Sequence, residues 1–286
     1  MNKKTICLIF AVLLCLSGCS GSTSRHSHKL SNNNDNFDSF TKSENNPIEE
    51  TTPVMFSSVL SDSKLLYETQ NETWRYQVYQ HNGDIYDKFI VLEEYLPDIP
   101  VSLVIPSEIE NSPVIAINGI DDTIYTSIFG KALNSNNPTA NDVIEELVIP
   151  DTVIHIGNAA FRECYALKNI VFSNKITFIG DLAFSSSGIT ELYLPDSLKI
   201  VGRSAFEEGD FSELIIPNGV ERINENAFHS YSLTNVYIPE SVQYIGKNAL
   251  RQKDITIYGH AGSEAAKYAS ENNIVFIMTE NIIEDF

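Results

Sequence analysis

A short motif recurs at a nearly fixed step through the second half of this chain, and that step constrains the fold more than any other feature. The segments Leu147-Val148-Ile149-Pro150, Ile170-Val171-Phe172-Ser173, Leu192-Tyr193-Leu194-Pro195, Leu214-Ile215-Ile216-Pro217 and Val236-Tyr237-Ile238-Pro239 begin 23, 22, 22 and 22 residues apart. Nine residues after each start stands Ile156, Ile179, Val201, Ile223 or Ile245, usually followed by glycine. Four further on come Ala160-Phe161, Ala183-Phe184, Ala205-Phe206, Ala227-Phe228 and Ala249-Leu250. A unit this short cannot bury its own apolar face, so its copies must stack, each contributing one layer to a continuous core. Leu147, Ile149, Ile156, Ala160 and Phe161 are one repeat's share of that core. The alanine leaves room for the neighbouring ring, glycine reads as a tight turn, and proline ends the strand.

This pattern, with Leu167, Ile170, Phe172 and Asn174 on general leucine-rich spacing, resembles the BspA-like leucine-rich repeats of bacterial surface proteins over about Trp74 to Met278. The resemblance implies an α/β fold: a leucine-rich-repeat solenoid of short parallel strands in a right-handed superhelix, with short helical turns on the other face. It also implies a binding module for an extracellular partner.

An open solenoid end exposes an apolar layer, so both ends need caps. Trp74-Arg75-Tyr76-Gln77-Val78-Tyr79 alternates, Asn82-Gly83 suits a tight turn, and Ile85 to Leu92 is again strand-like, which predicts a β-hairpin cap over 74–100. Repeats fill 101–258, and 259–286 close the array: Ser263 is a natural N-cap for a short helix over Glu264–Ala269, before a final strand at Ile274–Met278. Val54–Gln70, with apolar residues at 55, 56, 59, 60, 65 and 66, reads as a short helix or as packing against the first rung. Upstream, Leu103-Val104-Ile105-Pro106 lies 44 residues before Leu147, with about five extra residues, Glu110–Val114, between Ile109 and Ile117. We read one enlarged repeat, a degenerate extra rung being the alternative, with no second motif near Ile124–Phe129, and a polar loop at Lys131–Asp142.

The first residues read as an export signal over 1–18, with Lys3 and Lys4 ahead of an apolar run from Ile6 to Leu16 that is too short to span a bilayer. Leu16-Ser17-Gly18-Cys19 resembles the lipobox of bacterial lipoproteins, which assigns the lipid to Cys19 and makes 19–73 chiefly a polar tether. Cys7 and Cys15 leave with the signal, so Cys164 has no partner for an internal disulfide and reads as a small buried residue. The expected location is the cell envelope, lipid-anchored, facing the extracellular side or the periplasm. Acidic residues number 38 against 19 basic, and losing Lys3 and Lys4 leaves 17, a charge of −21. Such a surface repels nucleic acid and anionic membranes, leaving the lipid as the contact with a bilayer.

Because the recurring residues serve the core, function falls to the side chains between them. Alternation along the strands turns Val104, Val148, Val171, Tyr193, Ile215, Tyr237 and Thr256 outward. A neighbouring column holds Ser102, Glu146, Asn169, Glu191, Glu213, Asn235 and Asp254. An apolar and aromatic stripe beside an acid and amide stripe, on the expected concave face, suits a protein segment or a glycan. Nucleophile, zinc, phosphate-loop and dinucleotide signatures are absent, His155 and His229 read as position variants, and Glu191 and Glu213 lack the burial that would raise one carboxyl for glycoside hydrolysis. No catalytic residue, metal site or cofactor is expected.

Overall fold

The computed structural model describes residues 62–81, 88–96, 100–118, 127–129, 143–251 and 254–279. The export signal, Cys19, most of the tether, the Asn82-Gly83 turn and the polar loop 131–142 lie outside them.

The described residues open with three eight-residue strands, β1 (Ser63–Gln70), β2 (Trp74–His81) and β3 (Lys88–Tyr95). The enlarged repeat supplies β4 (Ser102–Val104), β5 (Glu108–Ile109) and β6 (Ser112–Ile117). Next come β7 (Glu146–Val148), β8 (His155–Ile156), β9 (Asn169–Val171), β10 (Phe178–Ile179) and β11 (Ile200–Val201). They are followed by β12 (Glu213–Ile215), β13 (Arg222–Ile223), β14 (Asn235–Ile238) and β15 (Tyr244–Ile245). The array closes with β16 (Thr256–Gly259), helix α1 (Glu264–Glu271) and β17 (Val275–Met278).

Stacking these units makes a β-solenoid. The leucine strands form one wall, in two pieces: β4-β7-β9, then β12-β14-β16-β17, with no strand at Glu191–Leu194. The isoleucine strands form the other, a ten-stranded sheet in the order β1-β2-β3-β6-β8-β10-β11-β13-β15, with β5 beside β6. The expected short helical turns on that face are replaced by this ladder of two-residue strands and hydrogen-bonded turns; α1 is the only helix among the described residues. Two residues per rung are too few for a helix, and a strand pair satisfies the same amides across rungs.

A further backbone ladder runs down the Ala-Phe corner. The amides of Phe161, Phe184, Phe206 and Phe228 donate to the carbonyls of Ala183, Ala205, Ala227 and Ala249 at 2.7–2.9 Å. The rings stack in register, Phe161–Phe184 at 5.2 Å, Phe184–Phe206 at 5.3 Å and Phe206–Phe228 at 5.5 Å, within 11° of parallel. These separations exceed the strand spacing of about 4.8 Å, so the rings slide past one another rather than eclipse.

The glycines play a different part from the one expected. A Cβ on Gly180 or Gly202 would fall 2.6 or 2.4 Å from the backbone of the preceding rung, and neither glycine has a positive φ. Two residues beyond the glycine position the chain does turn left-handed, at Ala159, Leu182, Ser204, Asn226 and Asn248, with φ between 54° and 58°. Glycine permits close approach, and ordinary residues carry the turn.

Leu103 and Leu147 are adjacent rungs despite their separation in sequence, because Ser102 pairs with Glu146 and Val104 with Val148. The extra residues make the β5–β6 turn, with Glu110 and Asn111 both at positive φ. Ile128-Phe129 fills the Ala-Phe position: the Ile128 amide donates to the Ala160 carbonyl, and Phe129 meets Phe161 edge-on at 6.3 Å. From Phe129 the aromatic column continues to Tyr95 and Trp74, so the cap finishes the core with edge-to-face contacts. Residues 63–70 form the outer strand of that cap and not a helix; β1 pairs antiparallel with β2 along its whole length. At the other end Ser263 caps α1, its hydroxyl accepting from the Ala266 amide at 3.3 Å.

Candidate functional site: the outward face of the leucine strands

Strand register places the expected columns side by side. Glu213 pairs with Asn235 and Ile215 with Tyr237; Glu146 pairs with Asn169 and Val148 with Val171. Their partners on the alternating inward positions, Leu147, Leu214 and Val236, are fully buried. Tyr193 is 68% exposed, Val104 63% and Ile215 43%, while Val148 and Val171 are half-buried. In the second column Asn169, Glu191 and Glu213 are exposed, and Glu146 and Asn235 are half-buried. The Tyr193 hydroxyl donates to Glu191 Oε2 at 3.1 Å, so the most exposed ring of the stripe is held beside a carboxylate.

Two placements differ from the sequence reading. Tyr237 is buried, 2% exposed, and is no free contact residue. The step from Val236 to Ile257 is 21 residues, so Tyr258 and not Thr256 lies beside Tyr237, and Thr256 and not Asp254 lies beside Asn235. The two tyrosine rings stack at 4.5 Å, and burial, then the neighbouring Tyr258 and Glu213, push the Tyr237 hydroxyl up to about 12. Tyr237 is therefore a floor for the stripe, and β17 extends it with exposed Val275 and Ile277.

A third column was missed. Each strand is followed by a turn in which the residue after it, usually proline, offers its carbonyl to the amide three residues on, as in Pro150–Val153, Pro217–Val220 and Pro239–Val242. The next residue is thereby turned outward, and it is Asp151, Asp196 or Glu240 in alternate regular repeats, all exposed. The stripe thus has an acid and amide border on both sides. The signal was legible: these acids directly follow the recurring proline.

The other candidate groups are structural. Cys164 is buried, and burial pushes its thiol above the ordinary range. His155 stacks on Phe178 at 4.5 Å, and burial holds its imidazole down to about 3. His229 lies 3.2 Å from Glu207 on the adjacent rung. Among the described residues no three His, Cys, Asp or Glu side chains converge as a metal site, and no helix is long and apolar enough to cross a membrane.

The profile of the BspA type leucine rich repeat region matches residues 135–256 in six copies. Residues 135–256 thus carry leucine-rich repeats of the BspA type. Crystal structures of leucine-rich repeat proteins are similar to the chain at low identity. One from Bacteroides ovatus is 24% identical with a TM-score of 0.47, covering 67% of this chain and 47% of that one. One from T. pallidum is 18% identical, with a TM-score of 0.45 and coverage of 74% and 98%. One from Bacteroides capillosus is 24% identical, with a TM-score of 0.34 and coverage of 59% and 96%. The matched stretch thus spans about half the length of the Bacteroides ovatus protein, at 47%. No curated protein matches this chain. The BspA-type assignment places the match on a fold that typically serves as a binding scaffold.

Proposed function

We propose that this BspA-type chain is an exported cell-surface lipoprotein, anchored through Cys19, that binds an extracellular protein through the outward face of its leucine strands. The observation that carries the reading is the exposure of Tyr193, Ile215 and Val104 in one column while the inward positions of the same strands are sealed. Exposed Tyr193 and Ile215 on neighbouring repeats, with half-buried Val148 and Val171 in the same column, make an apolar stripe of the kind that marks interaction surfaces. Replacing Tyr193 and Ile215 together by aspartate, with the far-face pair Ile200 and Gln243 treated alike, tests it on an array of extracellular proteins. Binding lost only in the first variant supports the reading; equal binding by both variants and the parent overturns it. Independently, Cys19→Ala is expected to release the protein from the membrane fraction, and unchanged retention would remove the anchor from the proposal. A glycan is the second reading, favoured by the Tyr193 ring held beside Glu191, and a glycan array with the same variants separates the two. A purely envelope-structural lipoprotein would bind on neither array.

A further inference from the structure

The two faces of the solenoid distribute charge differently, and this bears on what the leucine-strand face accepts. On the isoleucine side, charges alternate in sign from rung to rung at the corner after each isoleucine, as Asp181, Arg203, Glu225 and Lys247. Asp181 and Arg203 pair at 3.1 Å, and Lys199 pairs with Glu221 at 3.4 Å on the same wall. On the leucine side the apolar stripe runs between Glu146, Glu191 and Glu213 on one border and Asp151, Asp196 and Glu240 on the other. Neither border column contains a lysine or arginine; the nearest bases are Lys168, one position outside Asn169, Lys175, one position outside Asn174, and His260, whose ring lies 3.5 Å from Glu240. Glu191 and Glu213 stand on successive rungs and the other acids on alternate ones, so their summed negative potential lowers the energy of a cation laid along the stripe.

From this charge pattern, and resting on the proposed protein-binding role of the same face, we infer that its occupant is an extended, cationic amphipathic peptide segment. Its apolar side chains lie along the Val148–Tyr193–Ile215 column, and its lysines or arginines reach the two acidic borders. From Val104 to Tyr258 the column takes six steps of about 4.8 Å, roughly 30 Å, which an extended segment of about nine residues spans. Lysine and arginine heads on flexible stems reach carboxylates on either side without exact register, so recognition is by charge and apolar alternation.

The test uses the full-length chain and three labelled peptides of about nine residues, read by fluorescence anisotropy: lysine alternating with leucine, lysine with serine, and glutamate with leucine. The lysine-leucine peptide is expected to bind, the lysine-serine peptide about tenfold more weakly, and the glutamate-leucine peptide not measurably. Neutralising Glu191, Asp196 and Glu213 as E191Q, D196N and E213Q should weaken lysine-leucine binding about tenfold, and raising salt should erase that difference. Neutralising Glu207, Glu208 and Glu221 away from the stripe should change it less than twofold. Thermal melts check that both variants stay folded. Equal losses in the two charge variants, or binding of the glutamate-leucine peptide as tight as that of the lysine-leucine peptide, overturn the inference. If the peptides fail while the Tyr193 and Ile215 aspartate variant still loses its array partners, the protein-binding role stands and only the cationic assignment falls.

Discussion

The two walls of this solenoid are built from the same repeat yet satisfy themselves to different degrees. Outward groups on the isoleucine wall meet one another across rungs: His155 stacks on Phe178, Arg203 pairs with Asp181, and the Arg222 guanidinium lies 3.9 Å from the centre of the Tyr244 ring. On the leucine wall an apolar column stands exposed between acidic borders, and its sheet is interrupted at Glu191–Leu194. The difference teaches where selection for register ends and where surface is left for a partner. Substitutions on the first wall should therefore register in stability, and those on the second in binding.

The sharpest way to break this division is Gly202→Ala. The added methyl would sit 2.4 Å from the Gly180 carbonyl carbon, backbone that cannot swing aside, so the rung must separate. We expect a loss of about 3 kcal/mol and a clearly lowered Tm in calorimetry, with a comparable loss for Gly180→Ala. A neutral result would mean that the isoleucine ladder is not the rigid wall.

Second in size is a pair of tyrosines that the sequence presents as equivalent. Tyr237→Ala removes a ring sealed under Tyr258 and should cost about 3 kcal/mol, whereas Tyr193→Ala removes an exposed ring and should stay within about 0.5 kcal/mol. Urea unfolding of both variants checks this. Equal costs would erase the distinction between floor and contact.

That pair also shows how far the sequence was readable. The rungs were legible because every copy must offer the next one the same shape, so Leu147, Ile156 and Phe161 recur at one spacing. The enlarged repeat was legible for the same reason, since Leu103 keeps its place against Leu147 whatever the chain does between. Features set by non-repeating contacts were not. The strand β1 carries Leu65 and Leu66 in sequence, an arrangement a helix or an edge strand accepts equally, and only pairing with β2 decides. Ile128-Phe129 shares no letters with its neighbours beyond the phenylalanine, yet it fills the same corner. Thr256 and Asp254 stand in the sequence columns where pairing puts Tyr258 and Thr256; the offset is two residues, so the outward face is kept, and the final step, one residue shorter than its predecessors, hides the true partner. Cys19 and the tether are legible as sequence signals alone, outside the described residues.

A smaller effect sharpens the comparison through pH. Glu93 on β3 is half-buried on the cap; burial first, then Glu68, push its carboxyl up to about 7, against a lowering by Arg75. Its folded value is above its unfolded value of about 4.5, so the stability it contributes is complete below about pH 4.5 and is lost as pH rises through about 7. Allowing for solvent screening, wild type should lose about 1–2 kcal/mol over that window. Glu93→Gln should remove this loss, leaving the cap more stable than wild type at pH 8 in thermal melts. A variant with the wild-type pH profile would show that Glu93 stays ionised in the fold.

The smallest effect comes from the left-handed turn that joins the two walls. Five successive repeats place a residue at φ between 54° and 58°, and they fill it with Ala159, Leu182, Ser204, Asn226 and Asn248. A side chain with a Cβ pays about 1 kcal/mol for this conformation unless, like asparagine, it can bond locally to its own backbone. The last two repeats already use asparagine, and Leu182 is the bulkiest occupant. Leu182→Asn should thus raise stability by about 0.5 kcal/mol, the strain relieved being offset in part by the half-buried leucine surface given up. The reciprocal change, Asn226→Leu, puts a bulky side chain at a left-handed position that asparagine tolerates and should lower stability by about 1 kcal/mol. Because the turn belongs to neither wall, both changes should leave peptide binding untouched; a shift in binding from either would mean that the walls are coupled through this corner.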